Sequence, residues 1–130
     1  MELSQQITDV LLNADGKALA TRSEDSVNVI PVSMIKMTGD NIWLFNCFMG
    51  KTVENITKDS HVALVFWKGG EGYQIKATAS YVTDGEIFEE ARQFVAGVNP
   101  NRVLKGVLVL QPTEVFDVSP NVDRAGKRVQ

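Results

Sequence analysis

Cysteine, histidine and proline are scarce: one, one and four in 130 residues. The lone Cys47 excludes a disulfide within the chain and any multi-cysteine zinc or iron–sulfur centre. With His61 as the only imidazole, a dedicated transition-metal site lacks its usual ligands, so no metal is expected. Basic charge is short as well. Thirteen Lys and Arg stand against sixteen Asp and Glu, a net charge of −3, with a pI of about 5.1. Nucleic-acid binders carry clustered basic residues, so no nucleic-acid partner is expected and any anionic ligand must be held locally. No apolar run reaches the ~18 residues of a spanning helix. The start, MELSQQITDVLL, lacks the basic region and apolar block of a signal peptide. The unpaired thiol agrees with a reducing compartment, and a cytoplasmic, membrane-free protein is expected.

What is present is the pattern of a small, mainly β (α+β) domain. Hydrophobic residues make up 44% of the chain, enough for one core at this length. Leu3, Ile7, Val10 and Leu11 share a helical face, predicting a helix over 3–13. "KALATRS" reads as a strand. "VNVIPVSMIKM" reads as one long strand with Pro31 inside it, hence an edge strand or a bulged one. "IWLFNCF" follows after the turn "TGDN", completing an antiparallel meander. From Gly50 the period changes to that of a short helix, 50–58. "HVALVFWK" reads as a central strand, and "GGEG" joins it to "YQIKATASYV" in a long hairpin. In that second strand Gln74 and Lys76 fall on the polar face. "TDGEIFEEARQFVAG" predicts a helix with Asp84 as N-cap, a stripe of Ile87, Phe88, Ala91, Phe94 and Val95, and an end at Gly97. "VLKGVLVLQPTEVFDV" is a last strand interrupted near Pro112. The polar tail "SPNVDRAGKRVQ" reads as mobile. Six or so antiparallel strands on this length favour closure into a small barrel.

The strongest chemical candidate is "NCFMGKTVENI", 46–56. Gly50, Lys51 and Thr52 open a helix. Free N–H groups, a lysine and a hydroxyl there make a phosphate site, or else an ordinary helix cap with a lysine in it. The spacing is not that of a P-loop, because position 45 is Phe. Asn28 and Ser33 flank Pro31 on an irregular strand whose backbone is free to face a flat ring, or which simply carries proline to protect a sheet edge. Gln74 and Lys76 either face a cleft or lie solvated. No serine or cysteine sits in a nucleophile motif, and the acidic residues at 86–90 complement a helix dipole, so no catalytic side chain is assigned.

Taken in order, "NVIPVSMIKM–TGDNIWLFNCFMGKTVENI–TKDSHVALVFW–GYQIKATASYVTDG–EIFEEARQF" resembles the FMN-binding split β-barrel proteins related to pyridoxamine 5′-phosphate oxidase, especially the short members. The resemblance spans about residues 5–118. It implies an FMN-binding split-barrel domain over 1–118, a tail over 119–130, and a homodimer with FMN at the subunit interface. It implies that Gly50, Lys51 and Thr52 hold the FMN phosphate. Phe45, Asn46, Cys47 and Phe48 would pass along the ribityl chain and ring. Asn28, Val29, Ile30, Pro31, Val32 and Ser33 would run along the isoalloxazine, with Gln74 and Lys76 reaching the phosphate or ring. Ala77 stands where relatives often have glycine. The basic C-terminal segment that binds substrate phosphate in the true oxidase has no counterpart, so that oxidation is not expected. The implied function is that of a flavin oxidoreductase or electron carrier. The alternatives are a non-catalytic sensor or carrier barrel, or a relative holding haem or a deazaflavin.

Overall fold

A computed structural model describes all 130 residues. Ten elements follow along the chain: α1 (Gln5–Leu12), β1 (Gly16–Ser23), β2 (Ser26–Pro31), β3 (Ile35–Thr38), β4 (Asn41–Asn46), α2 (Gly50–Lys58), β5 (His61–Lys68), β6 (Glu71–Val82), α3 (Gly85–Val98) and β7 (Gly106–Asp117). All seven strands join one antiparallel sheet in the order β2-β1-β5-β6-β7-β4-β3.

The stretch 27–37, expected as one strand, is two. β2 pairs only with β1 and β3 only with β4, so the two halves lie at opposite edges of the sheet. The expected meander is broken at this point. Pro31 has no N–H to donate and ends β2, while the Val32 N–H turns to the Lys17 carbonyl at 3.0 Å. Pro31 and Ile35 are four residues apart, so their Cα atoms lie within roughly 14 Å. The sheet must therefore roll to bring its edges together. The edges are not hydrogen-bonded to each other, so the roll stays open and the closed barrel expected from strand count does not form. Seven strands stand where about six were expected.

The roll has two packed faces. Its inside holds Leu19, Leu44, Leu64, Phe66, Ile75, Leu108 and Leu110, covered by Ile7, Val10 and Leu11 of α1 and Ile56 of α2. Ser4 starts α1, its Oγ accepting the Ile7 N–H at 3.2 Å. On the other side of β4 and β7, Trp43, Phe45, Val107 and Val109 pack under Ala91 and Val95 of α3. The α3 stripe is narrower than expected: Ala91 and Val95 are buried, Phe88 and Phe94 half-buried, and Ile87 exposed. Asp84 holds the N-cap position without a capping hydrogen bond, and the helix passes Gly97 to end at Val98.

The β5–β6 hairpin closes through Gly69 and Gly70, with Gly69 at φ +56. β7 runs unbroken past Pro112, where a bulge against Lys76 and Ala77 absorbs the proline. The tail is not free. Gln130 and Val129 bond the backbone of Val115, and Lys127 and Gly126 bond that of Asp117. β4 pairs with β7 only as far as Leu110. The tail thus covers the strand edge that β4 leaves open, and a polar composition alone could not show that. No helix is long and apolar enough to cross a membrane.

Candidate functional site

The start of α2 is set by Asn46, the last residue of β4. Its buried amide donates from Nδ2 to the Tyr81 hydroxyl at 2.7 Å, and its Oδ1 accepts the Met49 N–H at 2.8 Å. The N-cap residue Met49 offers no capping side chain. The N–H groups of Gly50, Lys51 and Thr52 have no acceptor within the chain, so three amides and the positive end of the helix dipole point outward together. Thr52 is buried, and its Oγ1 accepts from Asn28 Nδ2 at 3.1 Å, which fixes α2 against β2. The Lys51 ammonium lies 3.2 Å from Glu54 on the helix surface. Such an exposed pair is worth at most about 1 kcal/mol, so the lysine is free to turn to a stronger partner.

A groove of about 330 Å³ ends on this helix start. Ile30 to Met34, the link between the sheet edges, forms one wall, and Phe45, Cys47, Phe48 and Met49 form the other. The N–H groups of Ser33 and Met34 have no acceptor within the chain. Arg102, from the α3–β7 connection, contributes the groove's one charged side chain. Its guanidinium sits 5.3 Å from the centre of the Phe48 ring, a cation–π contact on an otherwise exposed phenyl group. An apolar slot with free backbone N–H groups along one wall has the shape for a flat ligand with polar edge atoms, and the helix start beyond Met49 offers free N–H groups and a lysine.

The profile of pyridoxamine 5′-phosphate oxidase matches residues 3–119. The chain belongs to the pyridoxamine 5′-phosphate oxidase family. An uncharacterized protein of Methanocaldococcus jannaschii is 32% identical over 116 residues, which cover 85% of this chain and 77% of that one. Among solved structures, HupZ of Group A Streptococcus has a TM-score of 0.82 at 20% identity, over 96% of this chain and 98% of its own. An FMN-binding protein from Syntrophomonas wolfei has a TM-score of 0.77 at 20% identity, over 88% and 84%. At such identities the structural likeness is one of fold.

In this member of the pyridoxamine 5′-phosphate oxidase family, the residues singled out from sequence divide in two. Ile30, Pro31, Val32, Ser33, Phe45 and Cys47 line the groove together. Gly50, Lys51 and Thr52 do not line it but follow its wall residue Met49 directly, with Asn28 bonded to Thr52 and Asn46 to Met49. Gln74 and Lys76 are elsewhere. They lie on the outer face of β6, opposite Val65 and Ala63 of β5, and Lys76 lines a second groove. Within one chain they do not meet the first set. Sequence reasoning missed Met34, Met49 and Arg102. For Arg102 no local signal exists, because it reaches the groove only through the packing of α3 and β7.

Proposed function

We propose that this chain binds FMN in the first groove and serves as a flavin oxidoreductase or electron carrier. The observation that carries the reading is an apolar slot whose wall residue Met49 leads directly into three free amides and Lys51. In it the amides of Gly50, Lys51 and Thr52 and the Lys51 ammonium hold the phosphate. Phe45, Cys47 and the 30–34 wall bury the ring and exclude water, while the Ser33 and Met34 amides meet its polar edge. The flavin supplies the redox chemistry, and the protein binds and orients it. The rolled, open sheet agrees with the split-barrel architecture, and the solved FMN-binding protein of like fold adds weight. His61 lies outside this groove, so a haem iron there would find no imidazole from the same chain.

A homodimer completes the reading. The outer face of β2, β1 and β5 has no helix over it. Val27 and Val29 are 82% and 67% exposed, Trp67 is 43% exposed, and Ala18, Ala20, Ala63 and Val65 lie between them, half-buried. This apolar face borders the groove at Pro31 and includes Gln74 and Lys76. A second copy docked on it would bring those two side chains toward the cofactor. Val29→Asp should then halve the molar mass in solution, and an unchanged mass would refute the interface.

The test of function is a flavin titration of the purified protein. FMN should bind at micromolar concentration with quenched fluorescence. Lys51→Ala should weaken it by about 1.5–3 kcal/mol, the scale of a charge-assisted hydrogen bond. Absence of FMN binding ends the proposal. FMN that binds but is not reduced by NADH or NADPH under anaerobic conditions would favour the non-catalytic carrier.

A further inference from the structure

We propose that α2 is a two-state element, which lifts from the sheet when no ligand is bound and is locked down by an anionic ligand at its start. Of the three side chains it buries, Thr52, Asn55 and Ile56, only Ile56 is apolar. The sheet beneath it is polar too: Thr21 and Ser23 share the inner face of β1 and are buried, and Asn28 of β2 is half-buried. By contrast, α1 buries Ile7, Val10 and Leu11. Packing of an apolar face supplies most of a helix's stability in a protein, so α2 has less to hold it than α1. Its charges do not tie it to the sheet either, because Lys51 and Lys58 pair with Glu54 along its own surface.

The seam beneath α2 is incompletely paired. Asn55 Nδ2 donates to Thr21 Oγ1 at 3.1 Å, and Asn28 Nδ2 donates to Thr52 Oγ1 at 3.1 Å. Asn55 Oδ1 has no partner, in a residue with no exposed surface. A buried acceptor left unpaired favours any state in which water reaches it, and lifting α2 is such a state. Water also replaces the two neutral hydrogen bonds that are broken. The helix start adds no hold, since it has no side-chain cap and three amides without acceptors. A ligand that meets these amides while lying along residues 30–34 touches both α2 and the sheet. It therefore binds the docked state better, and that difference in affinity shifts the equilibrium. The locking rests on the flavin reading, whereas the weak docking does not.

Hydrogen exchange of the full chain, resolved by residue, tests both. Without ligand, the amides of residues 53–58 should exchange about tenfold or more faster than those of β5 and β6, as in a local opening. FMN at a hundredfold excess over its Kd should slow them by up to about a hundredfold. Thr21→Ala/Asn55→Leu removes the unpaired acceptor together with its polar partner, the smaller residue making room for the larger. It should slow α2 exchange without ligand by about fivefold or more; a seam that simply holds the helix would give faster exchange. Protected β5 and β6 amides show that the variant is folded, and if they are lost the parent chain decides alone. Amides of α2 as protected as those of β5 and β6 in the unliganded parent overturn the proposal, as does unchanged or faster α2 exchange in a folded variant. Bound FMN that leaves α2 exchange unchanged overturns the locking. FMN that does not bind refutes the flavin reading instead, and the lifting of α2 is then decided by the unliganded chain.

Discussion

Replacing Gly106 by alanine tests what holds the start of α2. Gly106 lies opposite Asn46 in the β4–β7 ladder, and the Tyr81 ring rests directly on it. A Cβ at 106 would meet the Tyr81 ring and hydroxyl well inside the 3.0 Å at which something must move. β4 pairs with Gly106 and β6 with the next residue, Val107, so the backbone is held and the ring has to yield. It cannot swing aside and keep its hydroxyl 2.7 Å from Asn46 Nδ2. Overpacking of this kind costs about 1–3 kcal/mol. Leaving the amide of Asn46, itself only 6% exposed, without an acceptor costs about 1–3 kcal/mol. The ring's movement relieves part of the first cost by incurring the second, so we expect about 2–4 kcal/mol in all. Tyr81→Phe removes the hydrogen bond alone and should cost about 1–3 kcal/mol. The double variant should fall short of the sum by about 1 kcal/mol, because both changes break one bond. Urea denaturation reads this as a shifted midpoint at constant slope. FMN affinity should fall in both single variants, since Asn46 also holds the Met49 amide. A Gly106→Ala protein within about 0.5 kcal/mol of the parent, the range of an inconsequential surface change, would refute the reasoning.

Three further predictions concern other supports of the structure. Thr52→Val removes the acceptor for Asn28 Nδ2 and should cost about 1–2 kcal/mol in urea denaturation, loosening α2 from β2. Tyr73 donates to Glu71 at 2.5 Å; burial first, and that bond next, raise its hydroxyl from 10.0 to about 12. The folded value is the higher, so the stability it contributes is complete below pH 10 and is lost as pH rises from 10 to 12. Tyrosinate absorbance should show one of the two tyrosines ionising late in the native protein and both together in urea. Truncation after Pro120 strips the backbone bonds of Val115 and Asp117 to the tail. It should cost about 2.5–5 kcal/mol, roughly 0.5–1 kcal/mol for each of the five bonds, read as a lowered urea midpoint; an unchanged midpoint would mean the tail contributes nothing.

Elements whose pattern is local were legible in the chain. The bounds of α2 at Gly50–Lys58 follow from the change of period, and the β5–β6 hairpin from alternation on either side of "GGEG". Pro31 announced an irregularity. Nothing near it could announce that the two sides of the irregularity pair with β1 and β4 at opposite edges, because that choice belongs to partners elsewhere in the chain. The tail misled for a similar reason. Its side chains are polar, but its order comes from backbone groups answering an open edge of β7. The α3 stripe was overdrawn because helical period marks which residues could be buried, not how far the neighbouring sheet extends to bury them.

Composition by itself left no second cysteine for a disulfide within the chain or for a multi-cysteine metal centre, and no excess of basic residues. Local sequence placed a helix start at Gly50, Lys51 and Thr52, with the chemistry to hold an anion. Tertiary structure decided the rest. It rolled the sheet so that residues 30–34 face the end of β4, brought Arg102 to the same groove, and sent Gln74 and Lys76 to the other face. The physical reason is one of range. Helix starts and strand alternation are set by neighbours a few residues away, whereas a groove is made by whichever distant strands pair, and burial of the whole core selects those pairs.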